Sequence, residues 1–181
     1  MERDDGTLKR LRGTPAPTAS YFIGKVILVL VSMLIQVALL LAFGVALYGI
    51  SLPATPARWF TFAWLMALGI TCSTILGIAF SVVPKSGKGA SAVVSPLVII
   101  LQFFSGVFFI FTQLPHWMQQ VAALFPLKWL TQGMREVFLP DSFATQEVAK
   151  SWETGRGILI NGIWLVVGVA LAMKTFKWDR D

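Results

Sequence analysis

Four stretches of this chain carry no charged side chain: Val26 to Ala57, Trp59 to Pro84, Gly89 to Leu127 and Gly157 to Met173. A helix crossing the roughly 30 Å hydrocarbon core of a bilayer needs only about 20 mainly apolar residues. Strands fail as an alternative because they reach a turn after about 4–8 residues. The composition agrees: 56% of residues are hydrophobic and 13% charged, against roughly 45–50% and 25% in water-soluble domains. The expected fold is an all-α integral membrane protein with four spans, near Phe22–Tyr48, Trp59–Val83, Ser91–Thr112 and Gly157–Met173. Gly49, Pro53 and Pro56 punctuate the first gap, and Pro84, Gly87 and Gly89 the second.

Basic residues give an orientation. Arg3, Lys9, Arg10, Arg12, Lys25, Lys85, Lys88, Lys174, Lys177 and Arg180 fall on one side of the expected spans. Arg58, Lys128, Arg135, Lys150 and Arg156 fall on the other, over longer loops. Cytoplasmic loops are the ones enriched in Lys and Arg, so both termini are expected inside and residues 113–156 outside. The net charge of +6 then reports topology and attraction to anionic lipid headgroups. It does not report nucleic-acid binding, since no basic patch is interleaved with base-stacking aromatics.

Chemistry inside the membrane has little to work with. Every Asp and Glu lies outside the expected spans, whereas proton-coupled carriers keep ionisable groups within them. The single His116 has no Ser or Cys neighbour to form a nucleophilic pair. SGKGAS at 86–91 lacks the spacing of a phosphate-cradling loop. The chain is therefore expected not to be an enzyme and to bind no cofactor or metal of its own. Cys72, alone within the second span, reads as a packed small residue. Trp59, Trp117, Trp129 and Trp178 fall near expected interfaces, where an amphipathic ring anchors.

The spans also carry packing signals. Gly69, Ser73 and Gly77 recur every four residues on one face of the second span, as do Ala38, Ala42 and Ala46 in the first. Such rows let backbones approach closely in lipid. After the third span, Pro115 and Pro126 each stand where a helix start tolerates proline, and two short external helices are expected over 115–139. In the second of them Leu127, Leu130, Met134, Val137 and Phe138 share one face, and Lys128, Thr131, Gln132 and Arg135 the other. That amphipathic pattern suits a helix lying in the membrane interface.

Several short motifs in this region resemble one family. Ser105-Gly106-Val107-Phe108-Phe109, Leu114-Pro115-His116-Trp117-Met118, Pro126-Leu127 and then Arg135 follow the order seen in the membrane subunit of type-2 ATP-binding-cassette exporters. Ile110 departs from the pattern, which often has Pro there. The head, Glu2-Arg3-Asp4-Asp5-Gly6-Thr7-Leu8-Lys9-Arg10-Leu11-Arg12-Gly13-Thr14-Pro15, is similar to that family's cytoplasmic segment between its second and third spans, with Gly24-Lys25 at the next membrane entry. Its acids come first and its bases last, which suits a helix macrodipole, and Gly13 and Pro15 stop it.

The resemblance implies more than the residues alone. Residues 1–20 would form a helix receiving a separate ATPase through Glu2, Arg3, Gly6, Thr7, Leu8, Leu11, Thr14 and Pro15, and residues 21–181 the membrane domain. ATP and Mg would bind the partner ATPase, and a second permease chain, identical or not, would complete the path in a bacterial inner membrane. Ser105, Gly106, Phe108, Phe109, Pro115, Pro126 and Arg135 would line that path and its outer gate. Because family subunits have six spans, residues 1–181 would match the last four. The alternative reading is a membrane remnant or accessory scaffold that does not transport.

Overall fold

The computed structural model describes residues 18–80 and 87–175. Among these every regular element is helical. The expected head helix, the end of the second span and residues 176–181 lie outside the described residues. The chain divides into two units, one containing residues up to Leu52 and the other most of the rest.

The first unit holds α1, Thr18–Tyr48. Within it Ile27–Tyr48 is long and apolar enough to cross a membrane. Gly49 ends the helix at φ 61, a left-handed conformation that glycine adopts without a Cβ penalty. Its N–H donates to the Val45 carbonyl at 3.1 Å.

The second unit contains α2 (Pro56–Phe80), α3 (Gly87–Phe104), α4 (His116–Ala123), α5 (Pro126–Phe138) and α6 (Thr154–Thr175), α3 entering it at Gly89. Pro56 opens α2 at a position where its missing N–H costs nothing, and Thr55 Oγ1 accepts from the Arg58 N–H at 3.4 Å. Helices α2, α5 and α6 pack on one another, and α4 packs on α5. These contacts depend on absent side chains. An added Cβ at Gly133 would meet the Leu65 methyls of α2 at 2.7 Å, and one at Gly168 would meet Ile75 at 2.9 Å. Cys72, Leu65, Trp129 and Val137 fill the interior.

Among the described residues three helices have the length and composition of spans: Ile27–Tyr48, Pro56–Gly77 and Thr154–Lys174. The last is longer than the expected Gly157–Met173. The expected third span ends early: α3 stops at Phe104 and its apolar part, Ala92–Phe104, is short. The reason is Gly106, at φ 80. It lets the Val107 N–H turn back to the Gln102 carbonyl at 3.4 Å, the bond that closes a Schellman helix end. An uninterrupted apolar sequence concealed that stop.

Two further expectations change. Trp129 is not an interfacial anchor: it is buried, with Nε1 donating to the Ala123 carbonyl at 2.8 Å. Nor does the polar face of α5 look outward. Lys128 is only 4% exposed and Gln132 1%, while Val137 on the opposite face is 0% exposed. Both faces are covered, the apolar one by α2 and the polar one by the segment leading into α6.

Candidate functional site: a polar clasp and an aromatic cleft

The polar face of α5 binds the strap formed by residues 147–154. Lys128, Gln132, Arg135 and Glu136 stand at helix positions i, i+4, i+7 and i+8, so they share a side of the helix. The Lys128 ammonium lies 3.4 Å from the Trp129 ring centroid and 5.2 Å from that of Phe111. It donates to Gln132 Oε1 at 2.5 Å. An ammonium can only donate, so it fixes which end of the amide faces it. Gln132 Nε2 is thereby turned to the strap, donating to the Trp152 carbonyl at 2.9 Å and that of Ser151 at 3.4 Å.

Burial disfavours the charged ammonium and pushes the Lys128 pKa down from 10.5 to about 8. Glu153 and Glu147 oppose that shift, while Arg135 and Arg156 add to it. Two more bonds complete the clasp. Arg135 donates to both Glu147 oxygens, from Nε at 2.7 Å and Nη2 at 3.3 Å, and Thr154 Oγ1 donates to Glu136 Oε2 at 2.8 Å. The strap also holds Lys150 at φ 53 and Glu153 at φ 47. Residues with a Cβ resist that region and persist there only when their surroundings fix them.

Beyond the clasp the chain leaves a cleft of about 310 Å³. Its walls include Phe109 and Phe111 from the segment after Gly106, Arg135 from α5, and Phe143, Glu147 and Trp152 from the far side. Gly106 sets the shape: a Cβ there would lie 3.1 Å from Phe111 Cβ and 3.3 Å from Arg135 Nη1. The Arg135 guanidinium thus packs against the helix-ending turn while it holds Glu147.

The sequence-expected gate residues are only partly gathered here. Gly106, Phe108, Phe109 and Arg135 border the cleft. Ser105 is fully buried, and its hydroxyl has no hydrogen-bond partner among the described residues. Phe108 and Phe109 are 59% and 55% exposed and lie against Phe103, at centroid distances of 5.0 and 5.6 Å. Pro115 is the N-cap of α4 and Pro126 the first residue of α5; neither lines the cleft. In the small-residue row, Gly69 lies against Leu130 of α5, whereas Ser73 is exposed and Gly77 has open space beside it. The coupling set from Glu2 to Pro15 lies outside the described residues.

Sequence reading missed Glu147, Trp152 and the inward role of Lys128 and Gln132. The four-residue spacing of Lys128 and Gln132 was the available signal. Among the described residues no three His, Cys, Asp or Glu side chains converge as a metal-ligand set.

Comparison with known proteins bears on this arrangement. Residues 1–139 match the ABC-2 type transporter family. The chain belongs to that family. Its matched part runs through α5 and stops at Leu139, so the strap and α6 lie beyond it. The chain is 23% identical over 142 residues to the probable multidrug ABC transporter permease YbhR of Escherichia coli (strain K12), an alignment covering 78% of this chain and 38% of the relative. The counterpart from Escherichia coli O157:H7 matches to the same extent. The ABC-2 chain thus spans 38% of the length of these relatives. No solved structure matches it significantly. Family and apolar helices together make it a membrane protein of the ABC-type permease class.

Proposed function

We propose that this chain forms the membrane part of an ATP-driven exporter of the ABC-2 type, acting as a transport subunit while a separate ATPase hydrolyses ATP. The observation that carries the reading is the family match over residues 1–139, which includes the head as well as α1 to α5. In this reading four spans cross a bacterial inner membrane, both termini face the cytoplasm, and α4, α5 and the strap lie outside. The head from Glu2 to Pro15 docks on the ATPase, and a second permease chain completes the path. The turn from Ser105 to Phe109 closes that path at its outer end, its Phe rings forming a dry barrier that a hydrated ion would have to shed water to cross. Drugs, lipids and glycans are the cargo classes in this reading, and the relatives' name, a probable multidrug permease, supports the first of them.

The test uses the full-length permease assembled with its ATPase. Replacing Leu8 and Leu11 by Asp in the head should release the ATPase during purification or leave its hydrolysis unresponsive to the membrane subunit. A complex that stays intact and coupled with both substitutions would overturn the docking role. For the outer closure, Gly106→Leu should abolish ATP-driven export without preventing insertion, because a Cβ at φ 80 is strained and would press on Phe111 and Arg135. Export that persists would remove Gly106 from the gate.

A further inference from the structure

We infer that α1 docks on the α1 helix of a second copy of this chain, the two joined amide to amide through Gln36. Gln36 lies nine residues from one end of the span Ile27–Tyr48 and twelve from the other. At a rise of 1.5 Å per residue it stands about 2 Å from the middle of the span. Hydrocarbon gives an amide nothing to bond, and at this depth the side chain is too short to reach the interface as a long one near a helix end does. Several polar side chains of the other spans are satisfied within their own helix. Thr61 and Thr71 donate to the carbonyls of Ala57 and Ala67 at 3.1 and 2.7 Å, and the Asn161 amide donates to that of Gly157 at 2.9 Å. Gln36 is exposed and has no hydrogen-bond partner among the described residues.

Its neighbours shape the contact. Val29, Met33, Gln36, Leu40, Phe43 and Leu47 recur at alternating spacings of four and three, the 3.5-residue repeat by which two parallel helices pack side by side. Leu40, Phe43 and Leu47 are 70, 59 and 71% exposed. Any apolar helix offers such seams, and the amide singles out this one. An amide is donor and acceptor at once, so the same group on a second copy answers both needs across a two-fold axis. A partner offering only a donor, or only an acceptor, would leave half of the amide unmet, and lipid would leave all of it. Copies inserted in the same direction run parallel, which brings the two Gln36 side chains level. One polar residue in an apolar seam then fixes register, as a buried Asn does in coiled coils.

The contact rests on α1 crossing the membrane and not on transport, so it is read without ATP or an ATPase. The full chain carrying Ser142→Cys is labelled with donor or acceptor dye, buried Cys72 staying silent, and energy transfer is followed in vesicles as added lipid dilutes the protein. Wild-type chains should associate. Gln36→Leu suits hydrocarbon better and keeps insertion, yet it should weaken association about fivefold, the size of one interhelical amide contact. Gln36→Asn should recover part of that loss. In unlabelled chains, Leu40→Cys and Phe43→Cys should form disulfide-linked dimers on oxidation, whereas Ala38→Cys, on the far side of the helix, should not. Monomers at every dilution would overturn the contact and make a helix of different sequence the occupant of this face. Association indifferent to Gln36→Leu, or linkage at Ala38→Cys equal to that at Leu40→Cys, would overturn it as well, while leaving the second permease chain of the transport reading free to join elsewhere.

Discussion

The α2–α6 pair and the α5–strap region belong to one unit of the chain and are held together by different chemistry. Between α2 and α6 contact is made where a side chain is missing: Gly168 brings the α6 backbone onto Ile75 and Leu76. Dispersion over close surfaces carries such contacts, because lipid is as apolar as the helices themselves. Between α5 and the strap contact is made by polar groups that lost their water: Lys128, Gln132, Arg135 and Glu136 against the Trp152 carbonyl, Glu147 and Thr154. The first kind of contact tolerates small shifts. The second does not, since each broken bond leaves a buried polar group unpaired. The α5–strap region should therefore behave as a set piece moving with the start of α6, and substitutions should separate the two regions by magnitude and by pH.

The largest effect should come from Gln132→Leu. It removes the one hydrogen-bond acceptor that the buried Lys128 ammonium has among the described residues and the donors to two strap carbonyls, which should cost about 4 kcal/mol. Thermal unfolding in detergent measures it. Adding Lys128→Met should recover part of the loss, because a matched apolar pair removes the orphaned charge. A double variant as unstable as the sum of the two single changes would show that the clasp is not a unit.

The pH dependence follows next. The folded chain gives up the Lys128 proton near pH 8, whereas the unfolded chain keeps it to about 10.5. Between those values the unfolded state binds more protons, so stability gains as pH rises. Relative to Lys128→Met, the wild type should be at its least stable below pH 8 and gain on the order of 3 kcal/mol by pH 10.5. Parallel curves for the two proteins would contradict the burial of a charged amine.

In the α2–α6 region, Gly168→Leu should cost about 2 kcal/mol by overpacking against Ile75 and Leu76. It should do so equally at pH 7 and pH 10, which sets it apart from the clasp. The smallest effect belongs to Arg58, which donates to the Leu139 carbonyl at the end of α5 and to exposed Asp141. Arg58→Ala should cost about 1 kcal/mol through the lost carbonyl bond. Asp141→Ala should cost almost nothing, because exposed ion pairs contribute little. Equal losses at the two positions would place the weight on the ion pair instead.

Much of this was legible in the sequence, and the limits were physical. Charge-free runs located α1, α2 and α6, since bilayer-spanning helices need length and apolarity and little else. The end of α3 was hidden because it depends on one backbone angle at Gly106, and Ser-Gly within an apolar run reads equally as close helix packing. The two faces of α5 were readable from spacing, but periodicity reports only that faces differ, not which is covered. The covering strap, with Glu147, Trp152 and two left-handed residues, has no repeating pattern by which to be found. The head from Glu2 to Pro15 was singled out by motif and falls outside the described residues.

The central claim is that α5 and its strap form an outer structure on a membrane-embedded permease. Labelling with a membrane-impermeant maleimide in intact cells tests it most directly, using Ser142→Cys at an exposed position between α5 and α6 and Ser86→Cys in the sequence stretch expected on the cytoplasmic side, with buried Cys72 as a silent background. The account predicts rapid labelling at 142 and protection at 86 until the membrane is opened. Protection at 142 with labelling at 86 would contradict it by turning the molecule over.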